Sequence, residues 1–594
     1  MQEFTQAIGW LAAHPLVSEW YTAVARLLFP ILSALILIRA IRSLLRLPHT
    51  PEVWAQLSLP NGSGIPLTHW ENILGRSKSA DVLLNYPSIS RQHAALCRGD
   101  DGSWTLYDLG SKGGTAVNGR TVADRASVKL GDTITLGGVP LVFLPQTVGE
   151  REELEKKRQA ERPAAMWPSF LWLTVFQILT AVQLTVAAGE EASPLIPGCF
   201  LILTVFMWLY AAILRLGRCV GFELETIAFY LSTLSLAVTA SSVPGSLPKQ
   251  LLAIILGVGL FLTLGLFLRD LERVKKLRWL MAAGAIGLLG ITLVLGKAKF
   301  GATNWITLGG LSFQPSEIAK ICYIFAGSAT LKRLFRRRNL TLFIVLTGVC
   351  IGLLGLMSDF GTAAIFFVTF LVIAYLRSGD AATLALICGG AVFGAGIIVK
   401  FKPYILSRFA AWGHAWEAAS GSGYQQTRTM SAAASGGLFG MGAGNGWLEN
   451  IPAGDTDLVF GMLSEEWGLV IALLAVACIL TLAWFAVRAS RAGRSSFYTI
   501  AACAAGSLLV FQTCLNVFGS VDILPLTGVT FPFVSNGGSA MISAWGLLAY
   551  LKTMDTREDA SFAIGRMLQR KLKEETARRT AAVDDPFGKE PDDA

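Results

Sequence analysis

The chain has 594 residues, 53% of them hydrophobic and only 15% charged. It is too long for one domain of roughly 100–200 residues and too poor in charge for a soluble chain, which averages about 25%. A single soluble domain, a disordered chain and a disulfide mini-protein are excluded, and a membrane protein with many spans is expected. The net charge of +9 sits in short clusters beside long apolar runs. That is the distribution of membrane topology and not of a nucleic-acid reader, so no nucleic-acid partner is expected. The nine cysteines form no CxxC pair and lie mostly within apolar runs, so they read as packing residues and not as a disulfide framework or zinc site.

A spanning helix takes about 20 mostly apolar residues. The first is expected over 20–38, inside an N-terminal membrane segment 1–46. Arg39, Arg42 and Arg46 follow it and no Lys or Arg precedes it, which puts the N-terminus outside. The segment starts too late and lacks the basic front of a cleaved signal peptide. Residues 47–146 then change to short alternating runs such as SWTLYDLG, broken by Gly, Asp and Asn. This pattern predicts a compact β-sandwich. A charged linker, 147–166, reads as a solvated helix joining that domain to the membrane.

From Trp167 onward, spans are expected at 167–186, 195–213, 222–240, 250–268, 279–296, 318–331, 341–357, 362–376, 383–400, 460–487, 498–516 and 540–552. Basic loops recur at every second connection, including 269–278, 332–338 and 488–494. Twelve spans after the linker put both the β-domain and the tail 555–594 in the cytoplasm. The tail is charged and reads as disordered. The outer loop 401–457 is long, and its aromatics, glycines and charges favour function.

Four pieces of the β-domain occur in order: Gly75-Arg76-Ser77, Ser90-Arg91-Gln92-His93, Asp108 to Thr115, and Asn118-Gly119. They resemble the forkhead-associated (FHA) domain, which binds phosphothreonine peptides. A phosphate asks for guanidinium, hydroxyl and backbone N–H groups converging from several loops. Arg76, Ser90, Arg91, Ser111 and Thr115 can supply them. The resemblance implies that Arg76 and Ser90 hold the phosphate, His93 braces the loops and Asn118 fixes them. The family usually has Asn where this chain has Gly113. The alternative is a sandwich kept as a scaffold without phosphate recognition.

The membrane part carries Trp305, Gln314-Pro315-Ser316-Glu317 with Lys320, Ser358-Asp359-Phe360-Gly361-Thr362, and Gly421-Ser422-Gly423-Tyr424-Gln425. Thr456-Asp457, Glu465-Glu466 and Pro532 to Ser539 follow. This ordered set resembles the SEDS family (FtsW, RodA, SpoVE) over about 222–552. The resemblance implies a ten-helix core, with about three extra helices here: the first span and the two at 167–213. It also implies a bacterial plasma-membrane protein of cell division or shape that polymerises peptidoglycan from lipid II beside a class B penicillin-binding protein. Composition and spacing by themselves give only a polytopic protein with an acidic outer site.

Ionisable residues at membrane depth need partners or a wet cavity. Glu317 and Lys320, three apart, can pair on one helix face, as a structural ion pair or as part of the site. Asp359 serves either architecture at a helix end or a substrate pathway. Asp457, Glu465 and Glu466 can hold a cation, a sugar hydroxyl or a basic partner. Glycan polymerisation asks for a base on a sugar hydroxyl and positive charge on the leaving pyrophosphate. Lys320, Arg408 and Arg428 are candidates for the second role, as is a divalent cation such as Mg or Mn; no metal ligands are assigned. Substrate contacts are expected from Trp305, Gln314, Ser316, Glu317, Lys320, Asp359, Arg408, Tyr424, Gln425, Asp457, Glu465 and Ser535.

The family's suspected base is an Asp three residues before Gly421, where this chain has Ala418. Glu417 beside it is the first substitute base, and Asp455, where the family often has His, is the second. Asn304 and Ser358 replace an expected Arg and Pro. Three readings follow: a polymerase with a relocated base, a non-catalytic scaffold recruiting a penicillin-binding protein, or a flippase of the lipid-linked precursor.

Overall fold

The computed structural model describes residue 10 and residues 14–46, 50–77, 80–99, 102–160, 163–299, 302–308, 311–329, 337–378, 381–401, 412–557 and 560. Helix α1 (Pro15–Arg46) extends the expected first span at both ends. Eleven short strands follow: β1 (Ala55–Ser58), β2 (Gly64–Leu67), β3 (Glu71–Gly75), β4 (Val82–Leu83), β5 (Ala94–Arg98), β6 (Trp104–Asp108), β7 (Thr115–Val117), β8 (Arg120–Thr121), β9 (Arg125–Val128), β10 (Thr133–Leu136) and β11 (Val139–Leu144). They form two sheets, β2-β1-β11-β10-β7-β8 and β4-β3-β5-β6-β9. Alternation sends Leu57, Leu74, Leu96, Leu106, Ile134 and Phe143 into one core between the sheets. The sandwich read from the alternating pattern is therefore present.

The charged linker forms α2 (Val148–Ala160), with Lys157 and Glu153 paired at i,i+4. The bundle resumes with α3 (Met166–Ala188), α4 (Leu195–Leu216), α5 (Glu223–Ser242), α6 (Leu247–Phe267) and α7 (Leu271–Leu295). Helix α5 is enclosed almost all round, 94% of its most apolar window being buried. Its hydroxyls therefore need internal partners: Thr233 accepts from Gln177 and Ser235 from Gln250. Helix α7 begins eight residues before the expected span. Asp270 caps Glu272 and Arg273 N–H, so the basic run becomes its first turns.

A three-stranded hairpin that the apolar pattern does not announce follows: β12 (Lys297–Lys299), β13 (Ala302–Leu308) and β14 (Leu311–Phe313). It leads to α8 (Pro315–Ser328), with Pro315 at the first helical turn. Then come α9 (Arg337–Leu356), α10 (Phe360–Ser378), α11 (Ala381–Phe401), α12 (Tyr424–Gly436), α13 (Val459–Glu466), α14 (Leu469–Ala489), α15 (Ser496–Ser520) and α16 (Gly538–Met554).

Among the described residues, nine helices are long and apolar enough to cross a membrane. The molecule is a multi-pass α-helical membrane protein with a β-sandwich between its first and second spans. Two expectations are corrected. The span 460–487 is broken between α13 and α14, where Gly468 takes φ 87° and approaches Leu438 O too closely for any side chain. The charged tail does not start free: Asp555 and Arg557 are buried, and Arg557 pairs with Glu223 at 3.1 Å.

The sandwich, the loop before α15 and residues 555–557 share one end of the bundle. The hairpin, α12, α13 and the loop before α16 share the other, called the far end below.

Candidate functional site

At the far end, the loop before α16 is tied to the segment before α13. Ser535 Oγ donates to Thr456 O at 2.6 Å and accepts from Phe531 N–H. Asn536 donates its backbone N–H to Asp455 O and its Nδ2 to Asp455 Oδ2, at 2.9 and 2.7 Å. Ser242, at the end of α5, adds a 3.4 Å bond to the same Oδ2. Asp455 is half-buried, and its Oδ1 accepts no hydrogen bond among the described residues. Gln425 reaches Pro452 O at 2.8 Å, which brings the start of α12 to this cluster. Asp457 O accepts from Asn516 at 2.9 Å.

Glu465 and Glu466 are buried but fully engaged. Glu465 accepts the Trp447 and Leu448 N–H groups, and Glu466 the Gly444 N–H and the Ser241 hydroxyl. In this structure they fold the glycine-rich stretch, and the Glu465 oxygens, expected on substrate, are taken by backbone N–H groups. Glu317 and Lys320 meet at 2.7 Å, and Lys320 also donates to Gln512 at 3.0 Å. Lys320 is 1% exposed, and Glu317 and Gln512 are its partners among the described residues. Ser316 is buried and its hydroxyl has no hydrogen-bond partner among the described residues, and Gln314 N–H binds Ser539. Asp359 caps α10 through Thr362 N–H and accepts from Asn304 Nδ2, both at 3.1 Å. A neutral amide thus occupies the place of the expected Arg, and Asp359 works at a helix end. Trp305 lies on β13 opposite Lys297.

Glu417 is not brought to this cluster. Its side chain is 80% exposed and, among the described residues, meets only His414, at 3.4 Å. What holds its loop is a residue that the sequence reading missed. Asp522 accepts the Gly413 and Ala415 N–H groups, both at 3.2 Å, while Trp412 Nε1 donates to Ile523 O. An acid in a turn of a different segment carries no local signal of that partnership. Arg428 stacks over the Tyr424 ring at 5.3 Å. Arg408 lies outside the described residues. Among the described residues there is no group of three or more His, Cys, Asp or Glu suited to a metal.

At the other end, the sandwich loops gather Arg76, Ser90, Arg91 and Lys112. Ser90 Oγ accepts from Lys112 N–H at 3.1 Å, and Arg76 N–H binds Ser90 O at 3.0 Å. His93 is buried: Nδ1 accepts from Ser90 N–H, so Nε2–H donates to Gly114 O at 3.0 Å. Two hydroxyls expected on the phosphate are occupied elsewhere. Thr115 and Ser111 both donate to Asp108, at 2.5 and 2.7 Å, and Thr115 is buried. They brace the loop. Burial pushes the Asp108 carboxyl up, but these two hydroxyls and the Ser111 and Gly110 N–H groups outweigh it and hold the group below the usual carboxylate range. Asn118 bridges Asp132 and Thr133 N–H, a bracing role. Gly113 has a steric reason: a Cβ there would sit 2.7 Å from Ser88 O.

The fold and these two sites define a polytopic membrane protein with an acidic, polar far end and a two-sheet sandwich at the opposite end. The FtsW/RodA/SpoVE cell cycle protein profile matches residues 199–559, more than half of the chain, and the FHA domain profile matches residues 72–137. The chain belongs to the FtsW/RodA/SpoVE family and carries an FHA domain. It is 35% identical over 276 residues to the probable peptidoglycan glycosyltransferase FtsW of Escherichia coli O6:H1, covering 44% of this chain and 66% of that one. It is 34% identical over 329 residues to the protein of the same name from Tolumonas auensis, covering 53% of this chain and 84% of that one. A solved chain described under "Structural coordination of polymerization and crosslinking by a peptidoglycan synthase complex" aligns with 25% identity and a TM-score of 0.48, over 57% of this chain and 98% of that one.

Proposed function

We propose that this chain polymerises glycan strands from lipid II, with Asp455 as general base, in cell division or cell shape. The far end faces the outside, and the FHA domain and C-terminal segment lie in the cytoplasm of a bacterial plasma membrane. The basic runs at 269–278 and 488–494, both at the sandwich end, support that orientation. The names of the relatives support the activity.

The observation that carries the assignment is the setting of Asp455. Asn536 and Ser242 hold one carboxylate oxygen and leave the other open. A base needs such a free lone pair within reach of the proton it removes. Asp455 takes the proton of the acceptor sugar 4-hydroxyl, whose oxygen attacks the anomeric carbon of the donor. The bond from that carbon to pyrophosphate breaks, and undecaprenyl pyrophosphate leaves with the electron pair. Arg428, exposed beside Tyr424, is placed to meet negative charge on a leaving group. Crosslinking falls to a class B penicillin-binding protein, and the input to the FHA domain is a phosphothreonine protein that meets Arg76, Ser90 and Arg91.

The test is polymerisation of labelled lipid II by the purified chain with its class B partner. Asp455→Asn is expected to lower the rate at least 100-fold, within the range of general-base contributions. Polymer at the wild-type rate in that variant overturns Asp455. Ala418, which cannot take a proton where the family's suspected base stands, favours a second reading as a scaffold. Absence of polymer from wild-type protein that still binds its partner selects that reading.

A further inference from the structure

We propose that the FHA sandwich is a built-in sensor whose clamp on the first turn of α15 carries phosphothreonine occupancy to the far-end site. The input rests on the phosphothreonine reading above. The clamp and its route rest on contacts within the chain.

The sandwich is docked by the end opposite its recognition loops. Strand β3 carries Glu71 at one end and runs into Arg76 at the other. In the antiparallel neighbour β5, Cys97 faces Glu71 and Ala94 faces Leu74. Arg76, Ser90 and His93 therefore collect at one end, and Trp70, Glu71 and Arg98 at the docked end. Docking leaves the recognition loops open, so a ligand can bind the docked state.

The docked contact is specific. Glu52 accepts from Arg494 Nε and Nη2 at 2.5 and 2.9 Å and from Arg158 Nη1 at 2.9 Å. Arg158 also donates to Thr556 O. Trp70 N–H donates to Arg494 O at 2.6 Å. Matched buried charges tie the sandwich to the bundle in one register, because parting them strands each charge.

Glu71 then acts on the helix itself. It accepts from Ser496 N–H and Ser495 Oγ, both at 3.0 Å, at the positive end of the α15 dipole. Ser495 Oγ also caps Phe497 N–H at 3.3 Å, so the helix start has a capped state that does not need Glu71. In the docked state Ser495 makes both contacts at once, and release of Glu71 would leave the Ser495 cap alone to hold the helix start. Twenty residues on, roughly 30 Å along the helix, Asn516 donates to Asp457 O and Val529 O. One turn earlier, Gln512 accepts from Lys320 and donates to Thr530 O. One rigid helix thus joins the clamp to the segment beside Asp455.

Amide exchange over 496–500 tests this in the full chain in nanodiscs, with and without a degenerate peptide library fixed at a central phosphothreonine. Binding is expected to slow exchange there at least threefold in the wild type. Glu71→Ala is expected to bind the library within twofold of wild-type affinity and to show no slowing. If that variant does not fold, the paired change Glu52→Gln with Arg494→Gln breaks the same clamp at another point and should give the same result. Library binding without slowing in the wild type, or slowing kept in the clamp variants, overturns the coupling while the phosphothreonine reading stands. Equal binding of phosphorylated and unphosphorylated libraries overturns that reading, and the sensor with it.

Discussion

The two ends of α15 handle charge in different ways. At the sandwich end, acids meet guanidinium groups: Glu52 with Arg494 and Arg158, and Glu223 with Arg557. At the far end, acids meet neutral donors: Asp455 with Asn536, Asp359 with Asn304, and Glu465 and Glu466 with backbone N–H groups. A buried carboxylate saturated by opposite charge is a strut, because losing one partner strands the other. A carboxylate held by neutral donors lacks a counter-charge, and where one oxygen stays open, as at Asp455, it can accept a proton. The contrast supports architecture at the first end and, at Asp455, the chemistry proposed for the second.

Glu317–Lys320, a charge-matched pair on the far-end side of the bundle, is one exception, as Glu71 with its neutral donors is at the sandwich end, and it predicts the largest effect. Lys320→Met leaves Glu317 stranded and should cost about 3–5 kcal/mol of stability, read as a lowered melting temperature in detergent. Adding Glu317→Gln should recover most of that loss. If Lys320→Met melts like the wild type but abolishes polymer, the pair belongs to the chemistry and the contrast fails.

The docked end predicts a pH response. Burial pushes the Glu52 carboxyl up, but Arg494 and Arg158 outweigh it and bring it to about 2, below its ordinary 4.5. A depressed group contributes stability that is fully present above its unfolded value and lost as pH falls through the folded one. Docking should therefore weaken between pH 4.5 and about 2, by about 3 kcal/mol at most. Burial raises the Glu71 carboxyl, against the Ser496 and Ser495 hydrogen bonds and the charges of Lys275 and His69. Its contribution is already full below 4.5, so it does not compete in that window. A fluorescence-transfer pair at exposed Arg120 and Arg491 should report separation of sandwich and bundle on acidification. The same midpoint in Glu52→Gln would assign the response to another group.

Much of this was legible in the sequence, for identifiable reasons. Period-two alternation gave the sandwich, apolar runs gave the spans, and the i,i+3 spacing of Glu317 and Lys320 gave their pair. Four other features had no local signal. Glu52 and Arg494 are 442 positions apart and each reads alone as a surface charge. The break at Gly468 lies inside an apolar run, where hydropathy reports burial and not backbone direction. The hairpin before α8 is too short and too mixed to show a period. Thr115 and Ser111 carry the hydroxyls a phosphate wants, and only the fold shows that Asp108 takes them.

The smallest expected effect concerns Glu417 and separates sequence position from geometry. By position it stands beside Ala418, where the family's suspected base belongs, and it was the first choice of base. By geometry it is an exposed side chain on a loop that Asp522 holds through the backbone. An exposed carboxylate beside His414 gains little from a weak pairing, of the order of a few tenths of a kcal/mol. It also lacks the desolvation that sharpens a catalytic base. Glu417→Gln should therefore change the polymerisation rate by less than twofold, where Asp455→Asn lowers it at least 100-fold. If the two results come out reversed, loop 412–423 must close over the site in the substrate complex. Exposure in the free protein would then be a poor guide to the base, and Asp522 would become the residue that sets where that loop rests.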